Sequence, residues 1–187
     1  MLWTLRELDL PHRVIRLDAA KGEHKSDTFR RLNPAGKVPV LLHGDQILTE
    51  SLAIMEYLND ISRMKNLIPK SISDRYVLRK IIHYGVSEVE VYLWIADQAT
   101  RLKRIYSWPK GTYEESIDRV KQGVKQICTW IEGNDYLAGG QFSIADIYYY
   151  QLITWAKKHG VEFSLEIDRY VSSLANRPAF PETMSTE

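Results

Sequence analysis

The chain is poor in cysteine, with one, Cys128, in 187 residues. A single thiol excludes an internal disulfide framework and fits a reducing compartment. Charge imbalance is also lacking: 25 Lys and Arg stand against 24 Asp and Glu, a formal net charge of +1. No global field therefore draws the chain to nucleic acid or to an anionic membrane. No apolar run approaches the ~20 residues of a membrane span. Arg6, Glu7 and Asp9 interrupt the start where a signal peptide needs an apolar core. These absences predict a cytoplasmic protein whose partners are small molecules or other proteins. His12, His24, His43, His83 and His159 show none of the paired spacings that zinc uses, and no phosphate loop is present, so no metal site is expected.

What is present begins with 44% hydrophobic residues, enough for real cores in one domain or two small ones. The rest of the chain is organised around Asn33 to Asn59. Val38 to Leu42 and Gln46 to Thr49 are apolar and rich in β-formers, and only His43, Gly44 and Asp45 separate them, which predicts a β-hairpin with Gly-Asp as its turn. Pro39 lacks a ladder donor and belongs at a strand start. After Thr49-Glu50-Ser51, the residues Leu52, Ile54, Met55 and Leu58 gather on one helical face, so a helix starts near Ser51. Its N-terminus, with unpaired amides and the positive end of the dipole, suits a carboxylate, and Glu50 beside it suits an ammonium group.

The run NPAGKVPVL followed by TESLAIMEYL resembles the glutathione S-transferase family, and the resemblance extends over nearly the whole chain. It implies a fold of two parts: an α+β thioredoxin-like N-terminal domain, incomplete at its start, over residues 1–70, then an all-α helical domain over 71–187. It implies glutathione as co-substrate. Val38 before a cis Pro39 would pair its backbone with the cysteinyl part, Glu50 with Ser51 would hold the γ-glutamyl end, and Lys37 would stand near the glycyl carboxylate. Each also has a plain reading: an edge proline, polar residues at a helix start, a solvated lysine. A homodimer is expected from the resemblance.

Along the chain, Leu2, Trp3, Leu5 and Leu8 make a short helical face ending before Pro11, and His12 to Leu17 is predicted to be a strand. Ser26 caps a short helix that stops ahead of Asn33-Pro34. Asp60 to Ile72 is aperiodic and charged, as a linker is, with the boundary near Ser71. Every later periodic segment is helical. One runs from about Ser73 to Tyr106 with Val77, Ile81, Tyr84, Val89, Tyr92, Ala96, Ala99 and Leu102 on its face and a bend near Gly85. A second opens at Thr112, with Glu115 at capping-box spacing, and buries Ile117, Val120, Val124, Ile127 and Ile131. Cys128 beside that stripe is read as a packing residue. Gly139-Gly140-Gln141-Phe142 leads into Ser143 and Asp146, a capping box with Phe142 and Ile147 as its staple, structural and not chemical. A last helix spans about Leu165 to Ala175.

The family's opening strand, and the loop whose serine, tyrosine or cysteine works on the thiol, would precede Met1. The gap is about fifteen to twenty residues, in keeping with a ~5–6-residue strand and its flanks. The sheet is then expected to keep three strands. No catalytic residue is assigned: Ser26 reads as a cap, Thr49 as a strand end and Tyr57 as a helix residue. Tyr84, Tyr92, Trp94 and Trp108 suit either an apolar wall for the small electrophilic substrate or core packing. Three functions share these residues. They are conjugation of glutathione to apolar electrophiles, a transferase-like binding or regulatory module without catalysis, and a glutathione-dependent isomerase or dehalogenase.

Overall fold

A computed structural model describes residues 1–138 and 140–182. Gly139 and residues 183–187 of the expected 71–187 domain lie outside the described residues. The chain divides into two compact units, Met1–Asn66 and Leu67–Glu187.

In the first unit, helix α1 (Leu2–Glu7) buries Trp3, Thr4 and Leu5. The Trp3 indole donates to the buried Glu7 carboxylate at 2.9 Å, so the one charge turned inward has a partner. The expected strand at His12 to Leu17 is not formed. That stretch has no ladder partner among the described residues, and Val14 and Ile15 are 52% and 67% exposed. β-propensity describes fit to a neighbour, and without a neighbour it makes no strand. Among the described residues the sheet accordingly has two strands, not three. Asp18 then accepts from the amides of Ala20 and Lys21, closing a turn at Gly22. Helix α2 (Asp27–Leu32) is capped by Ser26, whose hydroxyl accepts from the Phe29 amide at 3.2 Å.

Strands β1 (Val40–His43) and β2 (Gln46–Thr49) pair antiparallel with Val40 opposite Thr49 and His43 opposite Gln46. Gly44 takes φ 57°, which suits the first central position of a two-residue hairpin turn. Helix α3 (Ser51–Ile61) follows at once and buries Ile54, Met55 and Leu58. The hydroxyl of Tyr57, on α3, lies 2.7 Å from His43 Nδ1 and donates at 2.7 Å to Gln46, fixing helix to hairpin.

The second unit is all helical among the described residues. Helix α4 (Ile72–Gly85) starts where Ser71 accepts from the Asp74 amide. A π-helical turn at Val86–Glu90 then leads into α5 (Val91–Ala99), so the single helix expected to Tyr106 is interrupted near Gly85 and ends seven residues early. The reason for the interruption is packing. A Cβ on Gly123 would sit 2.4 Å from the Glu88 carbonyl, so this turn and α6 (Thr112–Ile131) meet backbone to backbone. The Thr112–Glu115 capping box is not formed. Gly111, at φ 91°, occupies the cap position, and no side chain caps α6.

Helix α7 (Ile144–Lys158) lies at the centre of the unit, with Ile144, Ala145, Tyr149, Ile153 and Ala156 fully buried. Asp146 closes a capping box, its Oδ2 accepting from the Ser143 amide at 2.8 Å and hydroxyl at 2.9 Å. Its Oδ1 accepts from the Leu137 amide at 2.9 Å and the Tyr170 hydroxyl at 2.8 Å, which ties in α8 (Leu165–Ala175). Burial pushes the Asp146 carboxyl above its ordinary range, against the pull of those donors. Asp97 is the other buried carboxylate of this unit among the described residues. It accepts from Arg101 Nε at 2.8 Å and from the Trp155 indole at 3.1 Å, and His159 Nε2 lies 3.1 Å away. Cys128 is half-buried, 3.9 Å from the Ser164 hydroxyl. No helix among the described residues is long and apolar enough to cross a membrane.

Candidate functional site

The register of the hairpin places the candidate residues. The ladder closes at Val40 opposite Thr49, so Val38 and Pro39 lead into it on one strand and Glu50 and Ser51 leave it on the other. Both strands leave ladder geometry at that level: the Val38–Pro39 bond is cis, and Glu50 takes φ 66°, ψ 111°. Positive φ in a non-glycine residue costs of order 1–3 kcal/mol and persists only where the surroundings fix it. Here β2 ends at Thr49 and α3 begins at Ser51, leaving one residue to turn the chain.

The consequence is a group of unsatisfied polar atoms facing outward. Val38 is 63% exposed, and its amide and carbonyl have no partner among the described residues. The Glu50 carboxylate is exposed and likewise has no hydrogen-bond or ion-pair partner among them. The half-buried Ser51 stands at the first position of α3, where the opening amides have no intrahelical acceptor. The arrangement offers a main-chain donor and acceptor on one side. On the other it offers a free carboxylate beside a helix start that attracts anions. A zwitterionic group attached to an extended peptide matches both. No group of three or more His, Cys, Asp or Glu side chains able to hold a metal ion occurs among the described residues.

Lys37 is exposed at the end of the turn that delivers Val38. That turn is braced by the residue at which the preceding helix stops. Buried Asn33 donates from Nδ2 to the Lys37 carbonyl at 2.7 Å and accepts from the Ala35 amide at 3.1 Å. Asn before Pro-x-Gly is a turn signal of known mechanism, its side chain bonding the backbone two residues on. Lys25 adds a second brace by donating to the Gly36 carbonyl at 3.2 Å. Gly36 takes φ 60°, and a Cβ there would meet the His24 carbonyl at 3.0 Å. His24 has its Nδ1 buried without a hydrogen-bond partner beside this turn.

The profile of the glutathione S-transferase N-terminal domain matches residues 1–61, and that of the C-terminal domain matches residues 95–180. The chain belongs to the glutathione S-transferase family, with a thioredoxin-like N-terminal domain followed by a helical one. It is 28% identical to glutathione S-transferase GstA of Escherichia coli O157:H7, over 98% of this chain and 90% of that protein. It is 27% identical to a probable maleylacetoacetate isomerase of Vibrio cholerae, over 89% and 76% of the two chains. The structure superposes on the beta-etherase LigF of Sphingobium with a TM-score of 0.86, covering 98% and 91% of the chains at 22% identity.

Proposed function

We propose that the protein is a glutathione transferase, which joins the glutathione thiolate to a small, mostly apolar electrophile. In the reaction the sulfur forms a bond to carbon, and the electron pair it displaces leaves with a leaving group or is protonated on the acceptor. The observation that carries the reading is the outward-facing set at Val38, Glu50 and Ser51. Val38 would pair through its backbone with the cysteinyl part and hold the sulfur in place. Pro39 ends the ladder so that this backbone stays free. Glu50 would take the γ-glutamyl ammonium, Ser51 and the first amides of α3 its carboxylate, and Lys37 the glycyl carboxylate. None of these residues activates the thiol, and no catalytic residue is assigned.

In the same reading, residues 1–70 are the glutathione-binding domain and 71–187 the helical domain of a homodimer. The setting is the cytoplasm and the role detoxification. Calorimetric titration with glutathione tests the assignment. Glu50→Gln removes a charge-assisted contact and should weaken binding by about 1.5–3 kcal/mol with little change in fold stability. Unchanged affinity would remove Glu50 from the site.

The relative named as an isomerase favours one second reading, a glutathione-dependent isomerase using the same residues. A panel of electrophiles and cis-alkenoic acids, each with and without glutathione, separates the two. A protein that binds glutathione and turns over neither class is a binding module.

A further inference from the structure

Between α5 and α6 the chain runs from Thr100 to Gly111 without a helix, and its composition departs from its surroundings. The stretch holds Arg101, Lys103, Arg104 and Lys110 and no carboxylate, although the whole chain is almost neutral, so the remainder is net negative. Arg101 is committed to Asp97. Lys103, Arg104 and Lys110 are exposed and have no carboxylate partner among the described residues. Three large apolar side chains stand out from the same stretch: Ile105 is 71% exposed, Trp108 44% and Tyr106 38%.

These tips are anchored from below. The Trp108 indole donates to the buried Gln98 at 3.2 Å, and the amides of Ile105 and Tyr106 donate to the Leu102 carbonyl at 2.8 and 3.1 Å. The turn therefore presents the apolar groups to solvent in a defined place, on the same short stretch as three exposed cations. Apolar side chains in contact with acyl chains, aromatic rings at headgroup depth and cations facing anionic headgroups are what a lipid–water interface recognises. We infer that residues 100–111 dock the protein reversibly on an anionic lipid surface. Ile105, the most exposed of the three apolar side chains, favours lipid among polyanions, because an aliphatic side chain inserts among acyl chains, whereas Tyr106 and Trp108 alone would suit a stacked base as well. The balanced total charge argues against attraction of the whole molecule. Segregation of charge within it gives attraction in one orientation.

Sedimentation with vesicles tests this. The full chain should sediment with mixed phosphatidylcholine–phosphatidylserine vesicles and stay in solution with pure phosphatidylcholine. Each cation near the surface contributes about fivefold to the partition, so the triple variant Lys103→Gln, Arg104→Gln, Lys110→Gln should bind about a hundredfold more weakly. Ile105→Ser with Trp108→Ser should keep binding at low salt and lose it as salt screens the remaining attraction. All substituted side chains are exposed or half-exposed, and a thermal melt matching the parent verifies the fold of each variant. Arg75→Gln with Lys80→Gln, two exposed cations on α4, should leave binding within twofold. The inference is overturned if mixed vesicles capture no more protein than neutral ones, if the α4 variant loses as much as the loop variant, or if RNA binds the segment while vesicles do not.

Discussion

The start of α7 and the start of α3 are both helix N-termini, and the chain treats them in opposite ways. At α7, Ser143 and Asp146 are fully buried, and the Asp146 carboxylate has four donors around it. At α3, the residue before the helix is an exposed glutamate at φ 66°, its carboxylate without a partner among the described residues, beside a serine and amides that are also open. Satisfying every group gains stability and leaves nothing to bind with. Leaving groups unsatisfied at the surface costs little in water and supplies recognition. The first terminus organises a fold, and the second is arranged to receive a ligand.

Asp146→Ala should give the largest effect and would break the comparison if it did not. The substitution removes the box and strands the Leu137 amide, the Ser143 amide and the Tyr170 hydroxyl in a buried place. Each orphaned buried donor costs about 1–3 kcal/mol, so a loss of at least about 3 kcal/mol is expected in a urea-unfolding series. Glutathione affinity per folded molecule should be unchanged. A loss no greater than that of an exposed cap, about 1 kcal/mol, would mean that water reaches these donors.

The next effect belongs to the pairing of the π turn with α6. Gly123→Ala places a methyl 2.4 Å from the Glu88 carbonyl and 2.9 Å from Val89 Cγ2. Helix propensity favours alanine by up to about 1 kcal/mol, while overpacking against backbone costs about 1–3 kcal/mol. A net destabilisation of about 1–2 kcal/mol is expected from a chemical melt. A stabilised variant would show that the π turn can relax to ordinary helix.

The sequence was legible where local chemistry decides structure. The hairpin at 40–49, the helix from Ser51 and the box at Ser143 and Asp146 each rest on a few adjacent residues, and each formed. It was misleading where a distant partner decides. Val14 and Ile15 have strand propensity and, among the described residues, no strand beside them, and Thr112–Glu115 has box spacing but loses the cap to Gly111. The π turn left one trace, the step of five between Tyr84 and Val89 in the apolar stripe, whose cause is a glycine on another helix. At the candidate site, Lys37, Val38, Pro39, Glu50 and Ser51 could be named because they are close in sequence. Lys25 and His24 could not, because only the fold of the Asp18–Asn33 segment brings them against Gly36.

The smallest effect on stability, and the one that most sharpens the contrast, is expected at Glu50. Holding glutamate at φ 66°, ψ 111° costs of order 1–3 kcal/mol, which glycine would not incur. Glycine brings its own cost of roughly 0.5–1 kcal/mol, because its unfolded chain has more freedom to lose. The two nearly offset, so Glu50→Gly should leave the melting midpoint where it is or raise stability by up to about 1 kcal/mol. Glutathione affinity should fall as far as in Glu50→Gln, since both variants lack the carboxylate. That pairing of outcomes is what a group kept for binding predicts: its removal is neutral or favourable for the fold and harmful only to the ligand. The same two measurements read the opposite way if Glu50 is structural. A stability loss of more than about 1 kcal/mol in the glycine variant, with affinity retained, would place Glu50 with Asp146 among the residues that build the fold and end the distinction between the two helix starts.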